Sequence, residues 1–281
     1  IADRLDPVHP YMDEVLRTDP EAYHQFVEDL HDRGMIDFTL DPIDFVYPFF
    51  VAKKNGDLRL VWDARVPNRR FRPCPSMAMG SGGAWRRLKK PDNDKEAQMF
   101  VATLDVRNFF YGMLMDAHIS SFFCLPPISG SRALQLGRKR GVQYDFGSHV
   151  PTVWPRLRAV PMGWSWAFWL AQRAMQHQVL RATGLGPERL LTDHQEVPSL
   201  RDGQPVLLPY CDNSHVICTR KGVVDELNMK IQQRLETVGF EVHEIVEGSL
   251  CIRSLGYEID GAKWRVRAFP ERMARCELAW R

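Results

Sequence analysis

Apolar residues recur at helical spacing early in the chain. This first apolar stripe consists of Tyr23, Phe26, Val27 and Leu30. Asp19 precedes it as a helix N-cap, Pro20 suits the first helical position, and Gly34 suits the position just after the last turn. The pattern therefore predicts a packing helix between Asp19 and Gly34.

Two apolar runs, 45–52 and 58–65, follow on either side of Asn55-Gly56. Asn-Gly between apolar runs is a strong indication of a β-hairpin. Lys53, Lys54 and Arg59 would then lie close together near its tip. Such a group is either an ordinary charged rim or a set of cations directed at a triphosphate.

Two further apolar runs each end in a carboxylate. Strand 100–104 ends at Asp105, and Tyr210-Cys211-Asp212-Asn213 lies between two apolar runs. Asp-Asn tolerates the backbone of a tight turn, so 208–217 is predicted to be a strand, a turn at Asp212-Asn213 and a second strand. If the Asp105 strand lies beside this hairpin, two carboxylates converge at one sheet edge, which suits divalent cations.

The remaining segments complete a mixed pattern. We expect loops at 75–97 and 183–203, a helix after 160–166, a helix over 224–238 that ends at Gly239, and a hairpin over 250–259. Runs 132–136 and 142–146 are predicted to form a hairpin whose tip carries Arg138, Lys139 and Arg140. The sum is an α+β fold with an antiparallel sheet backed by helices.

Composition excludes several classes of protein. With 281 residues, of which 44% are hydrophobic, the chain is long enough for a large core and is not disordered. The net charge of +2 alone implies no polyanion partner, but clusters of basic residues favour a nucleic-acid groove. The six cysteines lack zinc spacing, and no signal peptide or membrane-spanning run is present, so we expect reduced thiols and an intracellular protein of the cytoplasm or nucleus.

In motif order from about Gly34 to Tyr257, the chain resembles the reverse transcriptases of retroelements and, more broadly, the right-hand polymerases. The matching motifs are Lys53-Lys54-x-Gly56-x-x-Arg59 with Asp63-x-Arg65-x-x-Asn68, Leu104-Asp105-Val106-Arg107-Asn108-Phe109-Phe110, Val160-Pro161-Met162-Gly163-Trp164-Ser165, Tyr210-Cys211-Asp212-Asn213, Leu235-x-x-x-Gly239-Phe240 and Leu255-Gly256-Tyr257.

The resemblance implies a role for each matched residue. Asp105, Asp212 and Asn213 would be catalytic, and Asp105, Asp212 and the Val106 carbonyl would hold two Mg²⁺ ions, for which Mn²⁺ is a substitute. The predicted nucleotide-binding residues are Lys53, Lys54, Arg59, Phe110, Met162 and Gly163. The predicted nucleic-acid-binding residues are Arg65, Asn68, Arg138, Lys139, Arg140, Leu255, Gly256 and Tyr257. Either Lys53 or Lys54 would meet the triphosphate. Phe110 would exclude a ribose 2′-hydroxyl, with Phe109 as the alternative gate.

Two features depart from the family pattern. Asn213 stands where a second Asp is usual, and the lysine that usually protonates pyrophosphate is absent, which leaves His243 as the nearest candidate acid. We therefore predict an RNA-directed DNA polymerase acting on dNTPs and a primed RNA or DNA template. The alternatives are an inactive polymerase-like protein that binds nucleic acid, and an RNA-dependent RNA polymerase.

The resemblance also implies a domain organisation. Residues 1–262 would form the catalytic domain, with fingers at about 1–99 and 117–159 and palm at about 100–116 and 160–262. Residues 263–281 would begin a thumb or connecting segment, in a helix that continues to the last residue. Further domains of a longer polyprotein, such as the thumb and an RNase H, are expected partners.

Overall fold

The structure is a computed structural model that describes residues 8–53, 56–147 and 149–269. Within these residues the helices are α1 (Glu14–Thr18), α2 (Pro20–Asp32), α3 (Arg65–Asn68), α4 (Gly82–Trp85), α5 (Phe109–Gly112), α6 (Ala117–Ser120), α7 (Gly130–Arg140), α8 (Ala167–Thr183) and α9 (Lys221–Thr237), with short 3₁₀ turns at Pro187–Arg189 and Arg201–Gly203. The strands are β1 (Ile36–Thr39), β2 (Tyr47–Ala52), β3 (Leu58–Asp63), β4 (Phe100–Val106), β5 (Ile128–Ser129), β6 (Thr152–Leu157), β7 (Val206–Tyr210), β8 (Asn213–Cys218), β9 (Val242–Ser249), β10 (Cys251–Ser254), β11 (Tyr257–Asp260) and β12 (Arg265–Ala268).

The described chain is a mixed α/β protein whose sheets are antiparallel, as the sequence predicts. It divides into two compact units. Unit 1 comprises Ile1–Cys74 and Phe110–Ala167, and unit 2 comprises Pro75–Phe109 and Phe168–Arg281. No helix among the described residues is both long enough and apolar enough to cross a membrane.

Unit 1 contains the sheet β1-β6-β5 and the hairpin β2-β3. The predicted first helix is confirmed as α2: Asp19 accepts hydrogen bonds from the amides of Glu21 and Ala22, and Gly34 has a φ of 70° just past the helix end. The predicted hairpin is also confirmed, with Gly56 at a φ of 89° in its turn. Lys54 and Asn55 lie outside the described residues.

The predicted hairpin over 132–146 is wrong, because 130–140 form the helix α7. The Ser129 hydroxyl caps its N-terminus, and Gly141, at a φ of 68°, ends it. Ala133, Leu136 and Gly137 are buried at helical spacing. The apolar run 132–136 is too short to distinguish a strand from a helix, and the cap and the longer helical repeat decide the outcome.

Unit 2 contains the four-stranded sheet β7-β8-β4-β9 and the three-stranded sheet β10-β11-β12. Helix α9 packs against β4, β8 and β9 through an apolar face that includes Val224, Ile231 and Leu235. The opposite face of β4 and β8 carries Val101 and Ile217 into a hydrophobic cluster with residues of the second sheet. Strand β12 extends this second sheet to Ala268, past the predicted boundary at 262, and the predicted C-terminal helix lies outside the described residues from 270 onward.

Strand β9 forms one edge of the four-stranded sheet, and its pairing with β4 is irregular. The register shifts twice, between Val101 and Thr103 and between Thr103 and Asp105. Glu244 has a φ of 50° within the second irregular stretch. Such bulges place extra residues on one strand and increase its twist.

Candidate active site

Strand register brings the candidate residues of unit 2 into one row across the four-stranded sheet. Tyr210 of β7 pairs with Asn213 of β8, Asn213 pairs with Asp105 of β4, and Asp105 pairs with His243 of β9. Residues directly opposite one another in antiparallel strands project from the same face. Asn213, Asp105 and His243 therefore share one face at one end of the sheet.

The turn that carries Asp212 differs by one residue from the prediction. Tyr210 and Asn213 are paired, so the turn residues are Cys211 and Asp212, and Asn213 is the first residue of β8. Cys211, with a φ of 52°, has the left-handed conformation that the sequence predicts for Asp212-Asn213. The Val106 amide donates to the Asp212 carbonyl at 2.9 Å, which fixes the turn beside the end of β4.

A buried glutamine of α8 holds this turn through two hydrogen bonds to the backbone. Gln172 is fully buried, its Nε2 donates to the Pro209 carbonyl at 2.8 Å, and its Oε1 accepts from the Cys211 amide at 2.7 Å. The sequence predicts a helix after 160–166 but does not single out Gln172. The available signal was a long polar side chain next to Ala171 on the buried stripe.

Asp105 lies where a negative charge is poorly stabilised by the protein. Burial, and after it the nearby charge of Asp212, raises the pKa of the Asp105 carboxyl to about 6, while His243 lowers this pKa in part. Repulsion between two carboxylates is the usual mark of a site that is completed by a cation. The electrostatics therefore fit a site for a divalent cation.

The oxygen donors fit such a cation, but the set is smaller than the family pattern requires. Asp105 and Asp212 supply carboxylates, and Val106 supplies a carbonyl at the same strand end. The Asn213 Nδ2 donates to Asp212 Oδ1 at 3.0 Å, so the amide occupies one carboxylate oxygen. Among the described residues no group of three or more His, Cys, Asp or Glu is placed to hold a metal. With an amide at 213 in place of a carboxylate, Asp105 and Asp212 supply the two carboxylates at this end of the sheet.

His243 lies against Asp105 itself. Its Nδ1 is 3.4 Å from Asp105 Oδ1, which is an ion-pair distance. This Nδ1 is buried and makes no hydrogen bond with any described residue. The sequence names His243 as the nearest candidate acid for pyrophosphate, and the structure places His243 next to Asp105.

The two candidate gate residues differ in environment. Phe109 is buried, with 1% of its surface exposed, and its ring centre lies 4.8 Å from that of Phe240. Phe110 is only partly buried. A ring held in the core cannot contact a ligand, so Phe110 is the better gate candidate of the two.

The other predicted nucleotide-binding residues that the structure describes lie in unit 1. Lys53 and Arg59 are exposed on the hairpin β2-β3. The Met162 carbonyl accepts from the Trp62 amide at 3.0 Å. Gly163 has a φ of 123°, and a Cβ there would lie 2.1 Å from the Trp62 carbonyl oxygen. Close packing against β3 is therefore sufficient reason for a glycine at this position.

Two residues that are predicted to contact nucleic acid form hydrogen bonds within the protein. The Arg65 guanidinium donates to both Asp63 oxygens, at 2.9 and 2.6 Å. Burial alone would raise the pKa of the Asp63 carboxyl, but this contact and the amides of Tyr11 and Arg65 lower the pKa overall. Asn68 donates to the Gly163 carbonyl at 2.9 Å and accepts from the Ser165 amide at 2.9 Å. Both side chains hold unit 1 together, and their contact with nucleic acid stays a prediction.

The basic tip predicted at Arg138, Lys139 and Arg140 is the last turn of helix α7. The Lys139 Nζ contacts Glu28 at 2.7 Å and Asp32 at 3.0 Å, and Arg140 donates to the His31 carbonyl. Cations in the last turn of a helix also interact favourably with its carbonyl end. The structure therefore gives Lys139 and Arg140 roles in joining α7 to α2.

Leu255 and Gly256 form the turn between β10 and β11, with φ values of 49° and 81°. Tyr257 begins β11, and its ring lies so close to α4 that a Cβ at Gly82 would overlap it. The predicted hairpin is confirmed. Its contact with a primer stays a prediction.

Comparisons with known proteins support the fold. No family model and no curated protein matches the chain. Among solved structures, the chain is similar to the foamy viral protease-reverse transcriptase dRH in complex with double-stranded DNA, with 14% identity and a TM-score of 0.61 over 96% of this chain and 38% of that one. It is also similar to the foamy viral protease-reverse transcriptase in complex with double-stranded DNA, with 14% identity and a TM-score of 0.60 over 99% of this chain and 47% of that one. The chain thus has a fold similar to that of a reverse transcriptase and spans less than half the length of these neighbours.

Proposed function

We propose that the chain contains the fingers and palm of a retrotransposon-type polymerase that extends a primer with dNTPs on an RNA or DNA template. One observation carries the proposal. Strand register and the Val106–Asp212 backbone hydrogen bond bring two carboxylates to one end of an antiparallel sheet, in a fold similar to that of a reverse transcriptase. In this proposal, unit 2 contains the palm.

Within this proposal, Asp105, Asp212 and the Val106 carbonyl would hold two Mg²⁺ ions. When bound, such ions would lower the pKa of a primer 3′-hydroxyl and neutralise the triphosphate and its pyrophosphate product. The protein's own contribution is preorganisation. Gln172 and the Val106 amide fix the Asp212 turn, and pairing of β4 with β8 and β9 fixes Asp105.

Contacts with the substrates follow from the motif assignments. Lys53 or Lys54, with Arg59, would bind the triphosphate as a point charge and a planar fork. Met162, Gly163 and Phe110 would line the nucleotide site, and the Leu255–Gly256 turn would contact the primer. A thumb and an RNase H would belong to further domains of a longer polyprotein.

Primer extension tests the proposal directly. Asp105→Ala and Asp212→Ala should each abolish Mg²⁺-dependent extension of a primed RNA template and leave the melting curve cooperative. The matched control is Asp225→Ala, because Asp225 lies in the same unit and pairs with Lys221 on α9. Near-wild-type extension by either of the first two variants would show that the sheet end with Asp105 and Asp212 is not the reaction site.

A second candidate function is nucleic-acid binding without synthesis. The observation in its favour is the Asn213 amide, which replaces a charge and occupies an oxygen of Asp212. Asn213→Asp separates the two candidates, because a third carboxylate increases the affinity for divalent cations. For an active polymerase we expect the Mg²⁺ concentration at half-maximal extension to fall about tenfold. If the wild-type chain binds primed template but does not extend it at any Mg²⁺ concentration, the second candidate is correct.

A further inference from the structure

Unit 2 contains a cleft of about 810 Å³ that lies away from Asp105. One wall is the segment that follows α4, including Arg86, Lys89 and Lys90, and the other is the segment that precedes β7, including Glu196 and Arg201. Val197 gives the cleft accessible apolar surface, whereas the neighbouring Pro91, Pro198 and Leu200 are buried. The volume lies within the range typical of sites for small ligands.

The two walls are held together by specific contacts. The Arg87 guanidinium donates to the Gln195 carbonyl at 2.8 Å and to the Thr192 carbonyl. At the other end, Arg201 Nη2 contacts Asp92 Oδ2 at 2.7 Å, and Asn93 Nδ2 donates to Asp202 Oδ1 at 3.3 Å. The cleft is therefore part of the folded structure and does not need a ligand to form.

The cleft carries excess positive charge. Five basic side chains line it against two acidic ones, and one of the acidic ones, Asp92, is already paired with Arg201. Arg87 and Lys90 donate to backbone carbonyls, which leaves their charges uncompensated. The side chains of Arg86 and Lys89 are exposed and form no hydrogen bond or ion pair with any described residue. These two cations can therefore bind an anion without losing a structural contact.

The cleft lies near one end of the four-stranded sheet, and Asp105 lies at the other end. Cys218 pairs with Phe100 at the start of β4, and its Sγ contacts the Gly203 carbonyl, two residues after Arg201. Asp105 is five residues further along β4, about 17 Å away at roughly 3.3 Å per residue. The cleft and the carboxylates are therefore separate sites.

We propose that this cleft binds nucleoside phosphates. Arg86 and Lys89 would contact the phosphate, and the partly exposed side chain of Val197 would contact the base. Guanidinium and ammonium groups beside apolar surface suit this combination of a charged and a flat apolar part. The source is either one strand of a nucleic acid or a free nucleotide, and binding in both cases is independent of catalysis at Asp105.

The test is binding by the whole chain of a 5′-phosphorylated thymidine tetranucleotide that carries one photoreactive 4-thiothymine, with mass spectrometry of the crosslinked peptides. We expect crosslinks in peptides that contain 86–92 or 196–201. Arg86→Glu with Lys89→Glu should reduce their yield at least tenfold. Arg86→Gln with Lys89→Gln, which adds no repulsion, should reduce it less. The matched control is Arg181→Glu with Lys230→Glu, the same charge change at exposed positions of α8 and α9, and it should retain the crosslinks.

Competition identifies the source. If unlabelled dTMP displaces the tetranucleotide and protects these peptides, the ligand is a free nucleotide; if only oligonucleotides compete, it is a strand. The two cations should also contribute about 1.4 to the slope of log affinity against log salt, at roughly 0.7 per phosphate contact for single strands. The proposal is overturned if the crosslinks fall outside both segments, if the test and control variants lose yield equally, or if polyglutamate of equal charge competes as well as the oligonucleotide. Because none of these measurements requires synthesis, a chain that fails to extend primers still gives a clear result.

Discussion

Asp105 has a carboxyl group whose pKa is raised from 3.8 in the unfolded reference to about 6 in the folded chain, chiefly by burial. The folded state therefore binds this proton more tightly than the unfolded state does, and ionisation of Asp105 opposes folding. Its contribution to the free energy of unfolding is most favourable below pH 4, falls as pH rises from about 4 to 6, and stays low above that window.

We therefore expect Asp105→Asn to stabilise the metal-free chain at pH 7 by about 1–3 kcal/mol and to have little effect at pH 4. The measurement is urea unfolding of both chains at several pH values in the presence of a chelator. The difference between the two chains matters, because it cancels the titration of other groups. A stability difference that does not change between pH 4 and pH 7 would contradict the proposed environment of Asp105.

Phe110 and Phe109 permit a matched comparison at the residue scale. If Phe110 excludes the ribose 2′-hydroxyl, Phe110→Ala should raise ribonucleotide incorporation relative to deoxynucleotide incorporation at least tenfold, since fitting one extra heavy atom against a ring costs about 1–3 kcal/mol. The measurement is extension of one primer with matched nucleotide pairs.

Phe109→Ala should behave differently, because Phe109 packs in the core against Phe240. We expect it to lower the free energy of unfolding by about 3–5 kcal/mol and to leave sugar selectivity unchanged. Unchanged selectivity in Phe110→Ala would remove the residue-level argument for deoxynucleotides.

At the scale of elements, helix α8 supports the Asp212 turn through one side chain. Gln172→Leu would leave the Cys211 amide and the Pro209 carbonyl buried without partners, at about 1–3 kcal/mol for each group. We expect faster hydrogen exchange of the amides at Cys211 and Asp212, and a lower kcat in an active chain.

Gln176→Leu is the matched control for this prediction. Gln176 lies one turn further along α8, is also buried, and donates to the Ala78 carbonyl at 3.2 Å. Its substitution should lower stability without changing hydrogen exchange in the turn. Equal exchange in the two variants would mean that Gln172 only fills space.

Elements with long, capped apolar patterns were predictable from the sequence, as α2 and α9 show. Helix α7 was not, because the apolar run 132–136 is too short to distinguish a strand from a helix, and the Ser129 cap outside that window decides the structure. The turn at Cys211 was displaced by one residue because pairing across β7 and β8, which a local pattern does not report, sets the turn.

At the scale of the whole molecule, the order of elements was enough to predict an α+β fold and the approach of Asp105 to the Asp212 hairpin. The place of His243 was not predictable, because two register shifts in β9 decide which residue lies opposite Asp105. Long-range contacts of buried polar groups, such as those of Gln172, are likewise absent from any local pattern. The fold itself is shared with reverse transcriptases that are only 14% identical in sequence.

The irregular pairing of β9 also affects how the protein behaves at high concentration. An outer strand of a sheet offers unpaired amides and carbonyls to a second molecule, and β9 exposes Ile245 and Val246. Its bulges make it a poor template for another straight strand, and Glu244 and Glu247 place like charges where two such strands would meet. The same irregularity that brings His243 to Asp105 therefore disfavours edge-to-edge pairing of two copies through β9.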